Sequence, residues 1–483
     1  MYKSITRKVL MSNYIHPETD GQLAFSINPS QFLMIPSGLN GFHNTDTDVA
    51  KAVSGRKVVV FNGELVRQEA ETICPNCGRK MHVNNSFNTE LRHLPFGSSL
   101  TRLKFPRIQY RCPDCGQTKV VGIPFKAEHH RITAALEQYT TDLLAAGKYT
   151  LKQVAEITGL GKNTVKDIDA ARLKELYTID GDKLIQPEKP ARFLGIDEFK
   201  LHDGYRYATH IIDMSNGHIL WIAKGKRKQV VYDFIRHVGL EWMDHVEAVA
   251  CDMNSDFQEA FEEMCPHIQP VFDYFHIVKN FNDKVVSEVR KEEQRRLIEE
   301  GREEEAKRLK RSRYILTSSR DTLRKKDEDA RNGRIYHKGS PLFGTDDLKR
   351  KEGYESRYDE LLSENKLLFL LDLIKEKLTA AYRCDDECRM SESIIEIMDL
   401  CEESQNKHLL WFRHMLYSHF EGIIAHATYR HMSSGKIEGI NNKIKTLRRQ
   451  GYGYPDDEYF FLKLFDASRT TYVRNPASHR ICD

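Results

Sequence analysis

The sequence predicts a multidomain α+β chain, with small N-terminal modules ahead of an α/β body that a long helical segment interrupts. Three observations carry this expectation. A Cys-Pro-x-Cys-Gly pattern occurs twice, at 74–78 and 112–116. Short apolar runs ending in Asp197 and Asp252 sit among alternating strand and helix patterns. Mixed-charge helical sequence fills 281–430, ahead of a Gly-containing, basic and aromatic block at 431–470. At 483 residues the chain is too long for one compact domain, and its 40% apolar content suffices for sizeable cores. The 73 Lys+Arg against 70 Asp+Glu leave a net charge of only +3, which excludes a uniformly basic nucleic-acid binder. Any surface for nucleic acid must therefore be local.

Residues 1–70 are mixed and turn-rich, with no recognisable chemistry and no role assigned. The first twenty residues hold no long apolar stretch of a secretory signal, and the most apolar run, Leu367 to Ile374, is too short to span a bilayer. No membrane partner and a cytoplasmic location are expected. Ten cysteines are too few for a disulfide scaffold of this size.

Residues 71–125 are expected to be a zinc ribbon. Two residues between thiolates let a tight turn aim both sulfurs at one tetrahedral ion, and the Gly after each pair admits the backbone bend. Cys74, Cys77, Cys112 and Cys115 then close a four-thiolate shell around one structural Zn²⁺. The 34 residues between the pairs imply an extended hairpin. From Glu71 to Val120 eight basic residues face three acidic ones. Arg102, Lys104 and Arg107, interleaved with Phe96, Phe105 and Tyr110, suit phosphate contact.

Residues 128–178 read as a helix-turn-helix. Val154, Ala155 and Ile157 form the apolar face of one helix, Gly159 supplies the turn, and Leu160, Val165 and Ile168 continue the face. Lys162, Asn163, Thr164 and Lys166 then face outward at the start of the second helix, where base edges and phosphates are met. Residues 179–191, with Pro187 and Pro190, read as a linker.

From 192 the period changes. Strands are expected at 192–197, 205–214, 218–223, 246–252 and 268–273, with helices at 228–238 and 256–264, and Asn216-Gly217 as a hairpin turn. Asp197 and Asp252 end strands, and Glu438 lies in a helix-like segment from Ser433 to Lys445. Carboxylates at strand ends escape burial and suit hard, oxygen-seeking cations. Asp273 and His276 form a D-x-x-H pattern near the fifth strand, close enough to serve as auxiliary groups. Glu198 should point to the other face of its strand. Lys443, Lys445, Arg448 and Arg449, with Tyr452 and Tyr454, would hold phosphates next to Glu438. Trp221, Trp242 and Trp411 are expected in the core. From Phe281 to Arg313, eleven Lys/Arg and nine Asp/Glu indicate a solvated helix or helical hairpin.

The order of these elements resembles the ribonuclease-H-like nucleotidyl-transferase fold. The chain resembles bacterial insertion-sequence transposases of the ISL3 type over nearly its full length. The resemblance rests on the CPxC ribbon, the helix-turn-helix, Phe193-Leu-Gly-Ile-Asp-Glu198, Asp252-Met-Asn-Ser255, Asp273-Tyr-Phe-His276 and Ile437-Glu-Gly-Ile-Asn-Asn-Lys-Ile-Lys445 followed by Gly451-Tyr-Gly-Tyr454. The family often has Ser-Asn before its Gly-x-x-Glu; this chain has Ser433-Ser434.

The resemblance implies a ribonuclease-H-like catalytic domain in two parts, 192–280 and 431–470, interrupted by an all-helical insertion domain at 281–430 and followed by a tail at 471–483. It implies that Asp197, Asp252 and Glu438 are a DDE triad holding two Mg²⁺ or Mn²⁺. The expected activity is transposition. The N-terminal modules bind double-stranded DNA at terminal inverted repeats, and the triad hydrolyses a phosphodiester and transfers the freed strand to target DNA. Pairing two ends implies a homodimer. A non-catalytic DNA-binding regulator and a site-specific nuclease without strand transfer remain the alternatives.

Overall fold

The computed structural model describes residues 39, 41–52, 55–66, 69–204, 206–253, 255–310, 312–333, 335–338, 346–349, 352–432, 435–451 and 453–469. Ser433, Ser434, Tyr452 and the tail 471–483 lie outside them, as does all of the sequence before Leu39. The described residues form two compact units. One runs through Lys183 and takes in Gln450–Leu462; the other comprises Leu184–Arg449 and continues from Lys463.

In the first unit the ribbon begins earlier than its cysteines suggest. Phe42–Lys51 (β1) and Lys57–Leu65 (β2) are antiparallel strands. The sequence between the cysteine pairs forms a long hairpin of His82–Phe96 (β3) and Ser99–Arg111 (β4). β2 joins β4 in parallel, and Thr118–Val120 (β5) joins it antiparallel. β1 escaped notice because nearly all of its residues are exposed, so it carries no apolar alternation. Leu91, Leu103 and Phe105 pack with Leu39, Phe42, Phe61 and Phe125 on one face of the sheet. Strand alternation sends Glu90, Arg102 and Lys104 to the other.

Three helices follow: Ala134–Ala145, Leu151–Thr158 and Lys162–Tyr177. Thr133 caps the first, and Thr150 with Gln153 forms a capping box on the second, so the free N–H groups of both starts are partly satisfied. Leu136, Leu144, Val154, Leu160, Val165 and Ile168 fill their core. Ile157 is only half-buried; Thr158 takes the inner position, its hydroxyl donating to the Val154 carbonyl at 2.7 Å. The returning segment 450–462 completes this unit. Leu173 packs with Tyr459 and Leu462, and Tyr459 donates to Asp169 Oδ2 at 2.6 Å while Arg172 pairs with the same buried carboxylate. The sequence reading assigned all of 431–470 to the catalytic body; the structure divides it. The boundary at Lys183 falls inside the expected linker, which holds the two-residue strand Lys183–Leu184 (β7), while Thr178–Ile179 (β6) straddles its start.

The second unit is built on Phe193–His202 (β8), Arg206–Asp213 (β9), Ile219–Lys224 (β10), Ala248–Cys251 (β11) and Gln269–Phe272 (β12), in the order β10-β9-β8-β11-β12. The first three strands are antiparallel; β8, β11 and β12 run parallel. The hairpin at Asn216-Gly217 forms as expected, with Asp213 accepting from the Ser215 N–H and the Asn216 side chain, both at 2.7 Å. Leu194, Ile196, Val249, Cys251 and Phe272 point into one apolar cluster, together with Phe234 from the helix Lys228–Val238 and Phe257 and Phe261 from the helix Ser255–Met264.

That cluster continues without a break into the long helical segment, through Phe281, Leu371, Ile394 and Phe412. The mixed-charge stretch folds as a helical hairpin, Ser287–Glu299 and Glu303–Leu309, reversing at Gly301. Buried charges farther along are paired: Asp372 takes Arg320 at 2.7 Å, and Lys375 donates to the Ser318 carbonyl at 2.9 Å and to Tyr358 at 2.7 Å. The expectation of an all-helical insertion needs correction. Ile335–Lys338 (β13) and Asp346–Lys349 (β14) pair antiparallel. Trp242 is buried and Trp221 half-buried, but Trp411 is 42% exposed rather than in the core.

The helix Gly435–Gln450 lies along β8 on the face opposite the apolar cluster. Its Ile437 meets β8 at Gly195. A Cβ there would lie 2.6 Å from Met214 Sδ, 3.0 Å from Ile437 Cδ1 and 3.1 Å from Ile212 Cγ1, so only glycine admits this contact. Gly195→Ala is expected to destabilise this unit by about 1–3 kcal/mol through overpacking. The measurement is a denaturant midpoint read by tryptophan fluorescence, since all three tryptophans lie in this unit. An unchanged midpoint would refute the close-packing account.

Candidate functional site

The four cysteines come together as expected. Their Sγ atoms all lie within 4.8 Å of one another, with Cys74–Cys115 and Cys77–Cys112 at 3.5 Å and Cys77–Cys115 at 3.7 Å. Thiolates on a tetrahedral zinc, at about 2.3 Å from the ion, stand roughly 3.8 Å apart, so the set fits zinc. Both knuckles use the same turn. The Cys74 N–H donates to the Arg79 carbonyl and the Gly78 N–H to the Cys74 carbonyl; the Cys112 N–H donates to Gln117 and the Gly116 N–H to Cys112. Gly78 and Gly116 have φ of 69° and 74°, which the turn requires. Cys74 and Cys112 are buried beside Met81, Tyr110 and Val121, a cluster too small to hold the knuckles alone.

The basic residues expected to meet DNA divide into two groups. Lys162 and Asn163 are exposed at the start of the Lys162–Tyr177 helix, and Lys445 and Arg449 are exposed on the Gly435–Gln450 helix. Others have intramolecular work. Thr164 is half-buried, and Lys166 pairs with Asp456 at 2.9 Å while lying over the Tyr459 ring. Arg102 bonds to Glu90 at 2.7 Å, with Lys104 3.8 Å from the same carboxylate, and Arg107 donates to the Val121 carbonyl at 2.7 Å. Lys443 reaches the Ala467 carbonyl at 3.4 Å, and Arg448 donates to the Lys200 carbonyl at 2.5 Å. Spacing alone could not separate these groups.

The acidic residues gather where the parallel pairing runs out: Asp252 and Asp273 directly follow β11 and β12, whereas Asp197 lies within β8, which continues to His202 in its pairing with β9 instead of ending at Asp197 as expected. β11 pairs with β8 through Ala250↔Gly195 and with β12 through Cys251↔Phe272. Continuing that register sets Asp197, Asp252 and Asp273 side by side, all on the face that carries the Gly435–Gln450 helix. Asp197 Oδ1 accepts the Glu198 N–H at 2.7 Å, and its Oδ2 accepts from Asn441 Nδ2 at 2.6 Å. Glu438 stands three residues before Asn441, on the same side of that helix, and is exposed. The three expected catalytic carboxylates are thus brought to one region without forming a tight cluster. Among the described residues, only the four cysteines form a group of three or more side chains with ligating atoms all within 4.8 Å.

Asp273 caps the helix Tyr274–Asn280, accepting the Phe275 N–H at 2.7 Å. That turn aims His276 back, so that its Nδ1 lies 3.1 Å from Asp252 Oδ1. Burial works against a charged His276, but the bond to Asp252, with the charges of Asp252, Asp197 and Asp273, outweighs it and raises the imidazole above its ordinary value. Asp252 is correspondingly lowered: burial opposes the carboxylate, and His276 and the Met253 N–H overcome it. Glu198 does point to the other face. Burial raises it, against Lys226 and with help from the charges of Asp197 and Asp252.

Sequence reasoning passed over two residues. Asn441 had a signal, one helical turn beyond Glu438. His210 had one too, as a lone polar ring in the apolar stretch of β9; it is fully buried, pairs in register with Asp197, and is pushed down to about 4 by burial against the pull of Asp197. Among the described residues no helix is long and apolar enough to cross a membrane.

Comparison with known proteins matches all three parts. A family model described as a transposase, of the ISL3 group, spans residues 194–464. A model for the zinc-finger of the transposases of IS204, IS1001, IS1096 and IS1165 spans 70–115. A model for the helix-turn-helix domain of transposase family ISL3 spans 123–173. The transposase for insertion sequence element IS1001 of Bordetella parapertussis is 28% identical over 394 residues, covering 81% of this chain and 87% of that protein. The transposase for insertion sequence element IS1557 of Mycobacterium tuberculosis is 28% identical over 207 residues, 42% of this chain and 45% of that one.

The thiolate geometry predicts about one zinc per chain by metal analysis. Cys112→Ser is expected to lose it and to unfold the ribbon, seen as rapid hydrogen exchange throughout β3 and β4. Folded, protease-resistant ribbon in a zinc-free preparation would overturn the structural role.

Proposed function

The chain belongs to the ISL3 transposase family, and from that premise we propose that it binds the terminal inverted repeats of an insertion sequence, cuts the element's ends and joins them to target DNA. The carrying observation is the seating of the Gly435–Gln450 helix, which bears Glu438, on β8, where Asn441 bonds Asp197. The sheet order, three antiparallel strands followed by two parallel ones, supports a ribonuclease-H-like reading.

Asp197, Asp252 and Glu438 would hold the divalent metals. Carboxylate oxygens suit Mg²⁺ or Mn²⁺, and the two aspartates keep free lone pairs beside their hydrogen bonds. When bound, two such cations activate a water or a 3′-hydroxyl and stabilise the leaving oxygen of a phosphodiester. The chain's own part is orientation. The Glu198 N–H and Asn441 hold the two oxygens of Asp197; His276 and the Met253 N–H hold Asp252. His276 also offsets the mutual repulsion of Asp197, Asp252 and Asp273 before a metal arrives. Lys445 and Arg449, exposed beyond Glu438, are placed to hold phosphates of the strand being cut.

End recognition falls to the exposed start of the Lys162–Tyr177 helix, where Lys162 and Asn163 can enter a major groove. The ribbon would contribute backbone contacts, with Arg102 and Lys104 exchanging Glu90 for phosphate. Two ends must be held together during joining, so a homodimer is the working assembly. The protein would act in the cytoplasm, at the nucleoid.

The test is cleavage and joining of DNA carrying the element's ends, in Mg²⁺ and in Mn²⁺. Asp197→Ala, Asp252→Ala and Glu438→Ala are each expected to lose about a thousand-fold or more while still binding the ends. A variant that cuts like the parent removes that residue from the site. Tight binding with no cleavage by the parent would favour a regulator, and cleavage without joined products a nuclease. Lys162→Ala is expected to weaken binding and lower its salt dependence by about one counterion; an unaltered salt slope would place the DNA elsewhere.

A further inference from the structure

Two residues beside Asp197, one half-buried and one fully buried, carry polar atoms that the reading above leaves unused. Asn441 gives its Nδ2 to Asp197 Oδ2 at 2.6 Å, yet its own Oδ1 is buried and without a hydrogen-bond partner. His210 is fully buried in the middle of β9, and neither ring nitrogen has a partner. The β8–β9 register sets His210 directly opposite Asp197. Opposed residues of an antiparallel pair share a face, with Cβ atoms about 5 Å apart. The imidazole therefore flanks the same carboxylate that Asn441 holds.

Polar atoms left unpaired in a protein interior are costly, and native structures hold few of them. A neutral imidazole always carries one N–H, and an amide oxygen accepts. The two unused groups are complementary, and each adjoins Asp197. We propose that Asn441 is the positioning residue of Asp197 and that His210 donates to Asn441 Oδ1 through one buried water. The resulting His210–Asn441–Asp197 string fixes the carboxylate's orientation and ties the helix bearing Glu438 to β8.

The residue type at 441 follows from the charge requirement. A Lys or Arg there would grip Asp197 as well but would place a positive charge where a cation must bind. An Asp would repel the carboxylate. An amide donates without altering the site's charge and occupies one lone pair of Oδ2, leaving others for the metal. Position 441 is also one helical turn from Glu438, so the bond that orients Asp197 sets the rotation of the helix carrying the third carboxylate.

This inference rests on the reading of Asp197 as a metal-holding carboxylate, and the experiment separates the two. Mn²⁺ is titrated calorimetrically into the full-length, zinc-bound protein without DNA. Asn441→Ala is expected to weaken Mn²⁺ binding about 10–100-fold, and Asn441→Gln to recover part of the loss. His210→Phe, which keeps the ring and removes its nitrogens, is expected to weaken binding similarly, with little further loss in the double variant. Alanine is the stronger helix former, so Asn441→Ala should keep the helix; Asn441→Ser provides a second truncation should it not fold. Parental Mn²⁺ affinity in the Asn441 truncation, with Asp197→Ala having lost it, overturns the proposal. So does an equal loss in Gly195→Ala, which strains the same seat without touching the bond. Parental affinity in Asp197→Ala itself removes the carboxylate reading, and this inference with it.

Discussion

The fold of the second unit depends on one docking event: the Gly435–Gln450 helix must lie against β8 in a single register. Four contacts set it. Lys436 donates to the carbonyls of Met214 and Ser215, Ile437 enters the space above Gly195, Asn441 bonds Asp197, and Arg448 donates to the Lys200 carbonyl. The lengths agree. From Gly195 to Lys200 a strand advances roughly 16 Å, and from Ile437 to Arg448 a helix does the same. A slip of one helical residue would turn Glu438 about 100° away from the strand ends. Closing a chain loop of this length costs little more entropy than closing a shorter one, because the cost grows only logarithmically. A large helical segment between 273 and 438 is therefore tolerable, provided the final seat is specific.

That segment also supports the seat. Its helices share an apolar cluster with the sheet, and Gly422 brings the chain so close to β12 that a Cβ there would meet the Phe272 ring at 2.4 Å. The long segment is thus part of the frame that holds the strand ends, rather than a loosely tethered addition. Its charged surface contributes both signs, through pairs such as Arg296–Glu300, Arg302–Glu305 and Lys307–Glu304. This explains how a chain with 30% charged residues stays near neutrality while leaving a few lysines and arginines unshared. Near-neutrality overall and DNA binding at chosen surfaces are compatible.

Much of this was legible in the sequence, for physical reasons. The apolar runs that lead to Asp197 and Asp252, the hairpin at Asn216-Gly217 and the cysteine knuckles all have local signals: hydrophobic strand pattern, turn chemistry and fixed ligand spacing, although β8 continues past Asp197 to His202. The helix-turn-helix was legible through its 3.6-residue period. What failed was non-local. β1 is exposed and polar, so its strand character comes from β2. The pairing of Lys166 with Asp456 and the packing of Tyr459 on Asp169 join residues 290 apart. Trp411 looked like core because its helix is apolar, but Phe412 and Met415 take the inner face. Asn441 and His210 carry only faint local signals, because their proximity to Asp197 exists only once β8, β9 and the late helix meet.

The polar groups around Asp197 also explain why the strand ends are built as they are. A carboxylate row at Asp197, Asp252 and Asp273 repels itself, and an α/β sheet offers no counter-charge at that edge. His276 supplies a partial one, and burial of His210 keeps a second imidazole uncharged beside Asp197. A protonated His210 would set a positive charge against Asp197; an uncharged one adds no charge and can still donate a hydrogen bond. The chain thus places the histidine whose imidazole is raised beside Asp252, at the exposed rim, and the one that burial lowers beside Asp197, in the interior. This asymmetry leaves Asp197 oriented by the uncharged donors Asn441 and the Glu198 N–H, with no cationic side chain bonded to it.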